Sequence, residues 1–160
     1  MQHFTPHKML VGILLLALTS LATAAAPPHL IGVNLSGAEN GSRGATYGVH
    51  YIYPDATDFS YYKSRGIELV RIPFKWEHMQ PTLNAALDST ELSRLDAAID
   101  LAEEHGMLVI PDLHNYARYD GNIVGSTAVP RSALADFWSR MAAHLESRDC
   151  IWGIGIMNEP

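Results

Sequence analysis

The sequence contains one cysteine, Cys150, so these 160 residues cannot build an internal disulfide framework. It also has few cations, with 11 Lys and Arg against 17 Asp and Glu and a formal net charge of −6. Proteins that bind nucleic acids use clustered Lys and Arg to displace counterions from phosphates. This charge balance therefore argues against a nucleic-acid partner, and a neutral substrate is the more natural expectation.

The sequence has no apolar run long enough to span a membrane. The longest run, from Met9 to Leu21, is about 13 residues, whereas a spanning helix needs about 20. The cation Lys8 precedes it and the small residues 22–24 follow it, which is the order typical of a secretory signal peptide. We therefore expect residues 1–24 to be cleaved and residues 25–160 to be secreted, without a membrane partner.

After the prolines at 27 and 28, apolar strand-like runs alternate with amphipathic helical patterns in the order β-α-β-α-β-α-β. Strands are predicted at residues 30–35, 69–73, 107–113 and 151–157. The first helix is predicted over 57–65, the second has Asp88 or Ser89 as N-cap and ends at Gly106, and the third has Ser132 as N-cap. Consecutive strands that are connected by helices indicate a parallel sheet, because a parallel pair needs a crossover connection.

Two architectures fit such a sheet, a (β/α)8 barrel and a doubly wound open sheet. No G-x-G-x-x-G motif opens a helix directly after the first strand, which weakens the dinucleotide-binding alternative. A complete (β/α)8 barrel takes about 250 residues, so this chain is expected to hold about the first four βα units of one. Val70, Ile110 and Ile154, or their neighbours, are expected to fill the closed interior.

Polar residues follow the predicted strands, at the end of a barrel where function gathers. Glu159 comes after a nearly continuous apolar strand, and a carboxyl group that emerges into an apolar cavity suits a general acid. The alternative is a solvated, inert carboxylate at a turn. Arg71 lies between two apolar residues and needs acceptors; it either orients a carboxylate at an active site or forms a structural ion pair.

His114 shares a strand face with Asp112 because side chains alternate along a strand. Such a pair fits a metal site, a hydrogen-bonding element of a sugar site, or a core histidine. Trp76, Tyr116 and Tyr119 fall in predicted loops at the same end of the barrel. Aromatic rings at a cleft stack on the apolar faces of sugars, although each of these rings could equally pack a long loop.

Four motifs at the strand ends together resemble glycoside hydrolase family 5, the family of cellulases and mannanases. They are GVNLSGAE at 32–39, VRIPFKW at 70–76, DLHNY at 112–116 and IMNEP at 156–160. The longer stretch DLHNYARYDGNIVG at 112–125 resembles the endoglucanase branch. The resemblance implies that residues 25–160 are the N-terminal half of a (β/α)8 catalytic domain whose substrate is a β-1,4-glucan polysaccharide or oligosaccharide.

The resemblance also implies retaining double displacement. No cofactor or metal is expected, and the intact protein is expected to be a monomer. Glu159 matches the acid/base, Asn158 the residue that binds the sugar 2-hydroxyl, and Arg71 the arginine beside the nucleophile. His114 matches the histidine of the cleavage subsite, and Trp76 and Tyr116 are candidate substrate-binding rings. The family nucleophile is a glutamate on a later strand, outside this chain.

Two rival functions remain open on the sequence. One is a metal-dependent barrel hydrolase with Asp112 and His114 as ligands, which would need further histidines at strand ends. The other is a carbohydrate-binding barrel that has lost catalysis.

Overall fold

Three parallel strands and the helices between them organise the chain. The computed structural model describes residues 29–160, so the predicted signal peptide lies outside the described residues. The elements are β1 Gly32–Asn34, α1 Ala56–Ser64, β2 Leu69–Phe74, α2 Trp76–Met79, α3 Ser89–Glu104, β3 Leu108–Leu113, β4 Arg118–Tyr119, β5 Asn122–Ile123 and α4 Arg131–Leu145.

The sheet has the order β1-β2-β3 with every pair parallel. The register pairs Val70 with Val109 and Arg71 with Ile110, and paired residues point to the same side of a sheet. Val70 is fully buried, whereas Arg71 and Ile110 on the other side are only partly buried. Val70 therefore does not share a side with Ile110, and it is its neighbour Arg71 that lies on the same side as Ile110.

The predicted fourth strand, residues 151–157, pairs with β3 only through two isolated bridges, Val109 with Ile151 and Asp112 with Gly155. Two residues of β3 lie between the bridges, opposite three residues of the 151–157 segment. Pro111 is one of the two, and it has no N–H to donate to the facing segment. The result is an extra residue in the ladder, as in a β-bulge, instead of a regular strand. Ile154 is 42% exposed in this part of the barrel, and its predicted place in the closed interior stays a prediction.

The helix boundaries follow local capping chemistry. The Asp55 carboxylate accepts hydrogen bonds from the first turn of α1, and the Asp88 carboxylate accepts one from the N–H of Glu91 in α3. The N-cap of helix α4 is Pro130 and not the predicted Ser132. The fixed φ of −65° at Pro130 suits a helix start, and its carbonyl accepts the N–H of Ala133.

Helices α3 and α4 pack apolar residues against one side of the sheet, among them Ile99, Phe137 and Met141, which are fully buried. The other side of the sheet carries Arg71 and is the side on which the candidate site lies. Within residues 29–160, no helix is both long and apolar enough to cross a membrane. The structure also contains two elements that the sequence did not predict, helix α2 and the β4–β5 hairpin.

Candidate active site

Arg71 joins three parts of the chain at the carboxyl ends of the strands. Its Nη1 donates to Oδ1 of Asn34 at 2.6 Å, at the end of β1. Its Nη2 donates to Oδ2 of Asp112 at 2.5 Å in β3 and to Oδ1 of Asn158 at 2.7 Å after the 151–157 segment. The arginine predicted to need acceptors therefore has three, and one of them is a carboxylate.

These contacts fix the orientation of both asparagine side chains. A guanidinium group only donates hydrogen bonds, so Asn34 and Asn158 must present their carbonyl oxygens to Arg71. The amide NH2 group of each is then left as a hydrogen-bond donor beside the sheet. Such donors suit the hydroxyl oxygens of a ligand.

His114 and Tyr116, predicted as substrate-binding residues, are in contact. Nδ1 of His114 lies 3.0 Å from Oδ2 of Asp112, and its Nε2 lies 3.1 Å from the hydroxyl oxygen of Tyr116. Tyr116 is 47% exposed and adopts a φ of 51°, a conformation that is uncommon for a bulky residue. Its ring is therefore accessible beside the arginine cluster, as a sugar-stacking ring must be.

Glu159 directly follows Asn158, whose N–H donates to the carbonyl of Leu113 at 2.8 Å. The carboxyl group is thus carried on backbone that is anchored to the end of β3. Glu159 itself is exposed and has a φ of 43°. The expectation that it emerges into the cavity of the closed barrel stays a prediction, since the described residues form only the N-terminal part of the barrel.

Trp76 does not lie in an accessible loop, and its predicted contact with substrate is wrong. It is the first residue of α2 and is fully buried. Its Nε1 donates to Oε1 of Gln80 at 3.0 Å, and its ring packs at 5.1 Å from Tyr119 and 5.5 Å from Phe137. The helix turns the indole away from the strand end and into the core.

Tyr119 is buried as well, so of the three predicted rings only Tyr116 is available to a ligand. The Tyr119 hydroxyl donates to the carbonyl of Gln80 at 2.7 Å. Burial raises the pKa of Tyr119 above its ordinary value.

Sequence reasoning missed the buried polar pair Asn115 and Glu77. Asn115 accepts the N–H of Trp76 at 2.8 Å and donates to Glu77 at 2.7 Å, while Glu77 also accepts the N–H of Asp120 at 2.5 Å. These bonds fasten the loop that carries Tyr116 to the start of α2. The sequence shows that Glu77 and Asn115 are polar residues that follow β2 and β3. That they bind each other depends on the tertiary structure.

The metal-site alternative needs a third ligand beside Asp112 and His114. Among residues 29–160, no three His, Cys, Asp or Glu side chains are grouped closely enough to hold a metal ion. Oδ2 of Asp112 instead accepts hydrogen bonds from Arg71 and His114. This oxygen is therefore engaged in hydrogen bonds within the described residues.

Known proteins resemble this chain along most of its length. The manganese dependent endoglucanase Eg5A of Phanerodontia chrysosporium is 38% identical over 149 residues, which are 89% of this chain and 37% of that protein. An endo-β-1,4-glucanase of Xanthomonas axonopodis pv. citri is 39% identical with a TM-score of 0.78, over 81% of this chain and 41% of that one. Pseudomonas stutzeri endoglucanase Cel5A, solved with cellobiose, is 40% identical with a TM-score of 0.78, over 81% of this chain and 40% of that one.

The chain therefore spans about two fifths of the length of these relatives. The structural neighbours are (β/α)8 barrels, which confirms the predicted fold class, and this chain holds the N-terminal part of one. The family model for cellulase (glycosyl hydrolase family 5) matches residues 25–160. With the strand-end motifs in place around Arg71, the chain belongs to glycosyl hydrolase family 5, as the sequence predicted.

Proposed function

We propose that this chain supplies the N-terminal half of the catalytic domain of a secreted, retaining endo-β-1,4-glucanase that acts on cellulose-type glucan. The observation that carries the proposal is the arginine cluster, in which Arg71 holds Asn158 beside Glu159 at the carboxyl ends of the strands. Membership of the cellulase family and the endoglucanase names of the relatives support it. Secretion is proposed from the signal-like residues 1–24.

Glu159 acts as the acid/base of a double displacement. Its carboxyl proton passes to the glycosidic oxygen while a second carboxylate attacks the anomeric carbon, so the glycosidic bond breaks as a glycosyl ester forms. Glu159, now a carboxylate, takes a proton from water, whose oxygen displaces the enzyme carboxylate. Two inversions retain the configuration, and the two carboxyl groups must lie about 5–5.5 Å apart.

The neighbours of Glu159 position the sugar. Asn158 accepts from Arg71 with its carbonyl oxygen, and its amide NH2 group donates to the sugar 2-hydroxyl. Hydrogen bonds to the 2-hydroxyl are of the kind that strengthens in the transition state. His114 and the exposed ring of Tyr116 line the subsite where cleavage occurs. The positive charge of Arg71 keeps the nucleophilic carboxylate ionised.

We propose that the nucleophile is a glutamate from a part of the barrel outside these 160 residues. The coverage of about two fifths of the relatives supports this. We further propose that the complete protein works as a monomer, without a metal or another cofactor.

Hydrolysis of cellopentaose by the complete gene product, followed by proton NMR of the reducing end, tests the proposal. We expect the β-anomer to form first and the α-anomer to appear later by mutarotation. Initial α-anomer would mean inversion and would remove the double displacement. Binding without new reducing ends would favour a non-catalytic barrel, and activity that is lost with a chelator and restored by metal would favour the metal-dependent rival.

A further inference from the structure

Asp112 is the buried carboxylate behind the candidate site. It lies in β3 with 3% of its surface exposed, and one oxygen, Oδ2, accepts from both Arg71 at 2.5 Å and His114 at 3.0 Å. A carboxylate at this depth cannot reach a substrate past the two side chains that it binds. Any influence that it has on the reaction must act through them.

The hydrogen-bond partners of Arg71 indicate which ring nitrogen of His114 carries a hydrogen. The Nη2 group of Arg71 carries two hydrogens, and Asp112 at 2.5 Å and Asn158 at 2.7 Å take both. No hydrogen is left for Nδ1 of His114, which lies 3.4 Å from the same nitrogen. Nδ1 must therefore carry its own hydrogen, donated to Asp112.

In a neutral imidazole, a hydrogen on Nδ1 leaves Nε2 as an acceptor. The hydroxyl group of Tyr116, 3.1 Å from Nε2, is then the donor of that hydrogen bond. A sugar hydroxyl that enters the site could donate to the same nitrogen. The protonation pattern thus extends from the buried Asp112 to the exposed edge of the site.

The chain makes room for this carboxylate at Gly155. A Cβ atom at Gly155 would lie 2.1 Å from Oδ1 of Asp112, closer than any van der Waals contact allows. By contrast, nothing lies within 4 Å of a Cβ atom at Gly153, two residues earlier on the same segment. Asp112 can therefore keep its carboxylate in this position only because the residue opposite it is a glycine.

We propose that Asp112 is a positioning residue, which holds Arg71 against Asn158 and keeps the hydrogen of neutral His114 on Nδ1, so that Nε2 accepts from a hydroxyl group. The catalytic consequence rests on the glucanase function proposed above, but the protonation pattern does not. Removal of the acceptor in Asp112→Ala frees a hydrogen of Arg71 for Nδ1 and should move the hydrogen of His114 to Nε2. Asp112→Asn keeps an acceptor oxygen and should retain the original pattern.

Long-range 1H–15N NMR of the complete gene product with labelled histidine distinguishes the two tautomers. The signal of His114 is the one missing from His114→Gln. We expect an Nδ1–H signal in the wild type and in Asp112→Asn, and an Nε2–H signal in Asp112→Ala. An Nε2–H signal in the wild type would overturn the proposal even if no variant folds, and an unchanged signal in Asp112→Ala would overturn it as well.

Kinetics on a soluble glucan test the catalytic consequence separately. We expect kcat to fall by roughly 10- to 100-fold in Asp112→Ala, the size of loss seen when carboxylates that orient metal-ligating histidines are removed, and by less in Asp112→Asn. Asp100→Ala is the matched control, since Asp100 in α3 lies 2.5 Å from Arg148, after the end of α4, in an ion pair away from the candidate site. An equal loss of kcat in that control would contradict a specific role.

The glycine pair gives an independent comparison. Gly155→Ala should displace the carboxylate and lower kcat, whereas Gly153→Ala should not. Equal behaviour of the two variants would contradict the proposed place of Asp112. If the wild-type protein cleaves no glucan, the proposed function fails, while the NMR spectra still decide the protonation pattern.

Discussion

Nη2 of Arg71 lies 2.7 Å from Oδ1 of Asn158, although 87 residues separate the two in the chain. The contact brings the end of the 151–157 segment to the centre of β2 and places Glu159 next to the arginine cluster. Arg71 thereby connects Asn158 with Asn34 and Asp112, the other two residues that it binds. Substitutions in the complete gene product test this arrangement.

Glu159→Ala should abolish cleavage of cellulose-type substrates but spare the first step on aryl glycosides whose leaving group needs no proton. Loss of a general acid costs roughly 10²- to 10⁴-fold where protonation is needed. Azide should restore turnover of the activated substrate because it replaces the water that Glu159 deprotonates. Glu146→Ala, at the C-cap of α4, is the control. An equal loss on both substrates would remove the acid/base role.

Arg71→Ala should lower kcat/KM alike on cellulose-type and activated aryl substrates, since Arg71 acts on the nucleophile and not on the leaving group. It should also destabilise the fold by roughly 3–5 kcal/mol, because it leaves the buried Asp112 without its cation. Arg71→Lys restores the charge but not the donor geometry, so it should recover stability more than activity. Urea unfolding and kinetics on both substrates measure the two effects, and a substrate-selective loss would contradict the assignment.

We expect Trp76 to contribute to stability and Tyr116 to contribute to substrate binding. Trp76→Ala removes a fully buried indole and should lower the free energy of unfolding by roughly 3–5 kcal/mol. Tyr116→Ala removes a half-exposed ring and should raise KM with little change in stability. Unfolding curves and KM for cellopentaose distinguish the two. A rise in KM for Trp76→Ala without loss of stability would restore it as a substrate-binding ring.

The buried tyrosines at Glu91 should make stability fall at high pH. Tyr51 and Tyr53 each donate to the Glu91 carboxylate at 2.9 Å. Burial, with Glu91, raises the pKa of Tyr51 to about 12 and that of Tyr53 well above its ordinary value. Since the unfolded chain releases these protons first, near pH 10, stability is complete below about pH 10 and is lost as pH rises towards 12.

The variant Tyr51→Phe/Tyr53→Phe should show a smaller loss of stability between about pH 9 and about pH 11 than the wild type. Urea unfolding at the two pH values measures it. Tyr61→Phe, at an exposed site on α1, controls for loss of a tyrosine hydroxyl. An unchanged pH dependence in the double variant would contradict the shift.

The 160-residue chain expressed alone should neither hydrolyse glucan nor remain a well-packed monomer. Trp152, Ile154 and Ile156 are 53%, 42% and 59% exposed, and they occupy every second position of the segment beside β3. Exposed apolar residues beside incompletely paired strands favour aggregation or dimerisation. Sedimentation and reducing-sugar assays measure this. A monomer that unfolds cooperatively and releases reducing sugars would contradict both parts.

Local chemistry determined much of the fold from the sequence. The boundaries of α1 and α3 follow from Asp55 and Asp88, whose carboxylates can satisfy the first N–H groups of a helix wherever the rest of the chain lies. The parallel sheet follows from apolar strands that alternate with helices. The strand-end motifs indicated the family, which the family model confirms. The roles of Glu159, Asn158 and His114 in catalysis remain predictions.

Only the tertiary structure decided which of these residues meet. The loop position expected for Trp76 became a buried helix start because Asn115, 39 residues later, accepts its N–H. The fourth strand became a bulged segment because Pro111 in the neighbouring strand has no N–H to offer. Both outcomes depend on contacts between residues that are distant in sequence. A pattern of polar and apolar residues does not show which of these residues will be in contact.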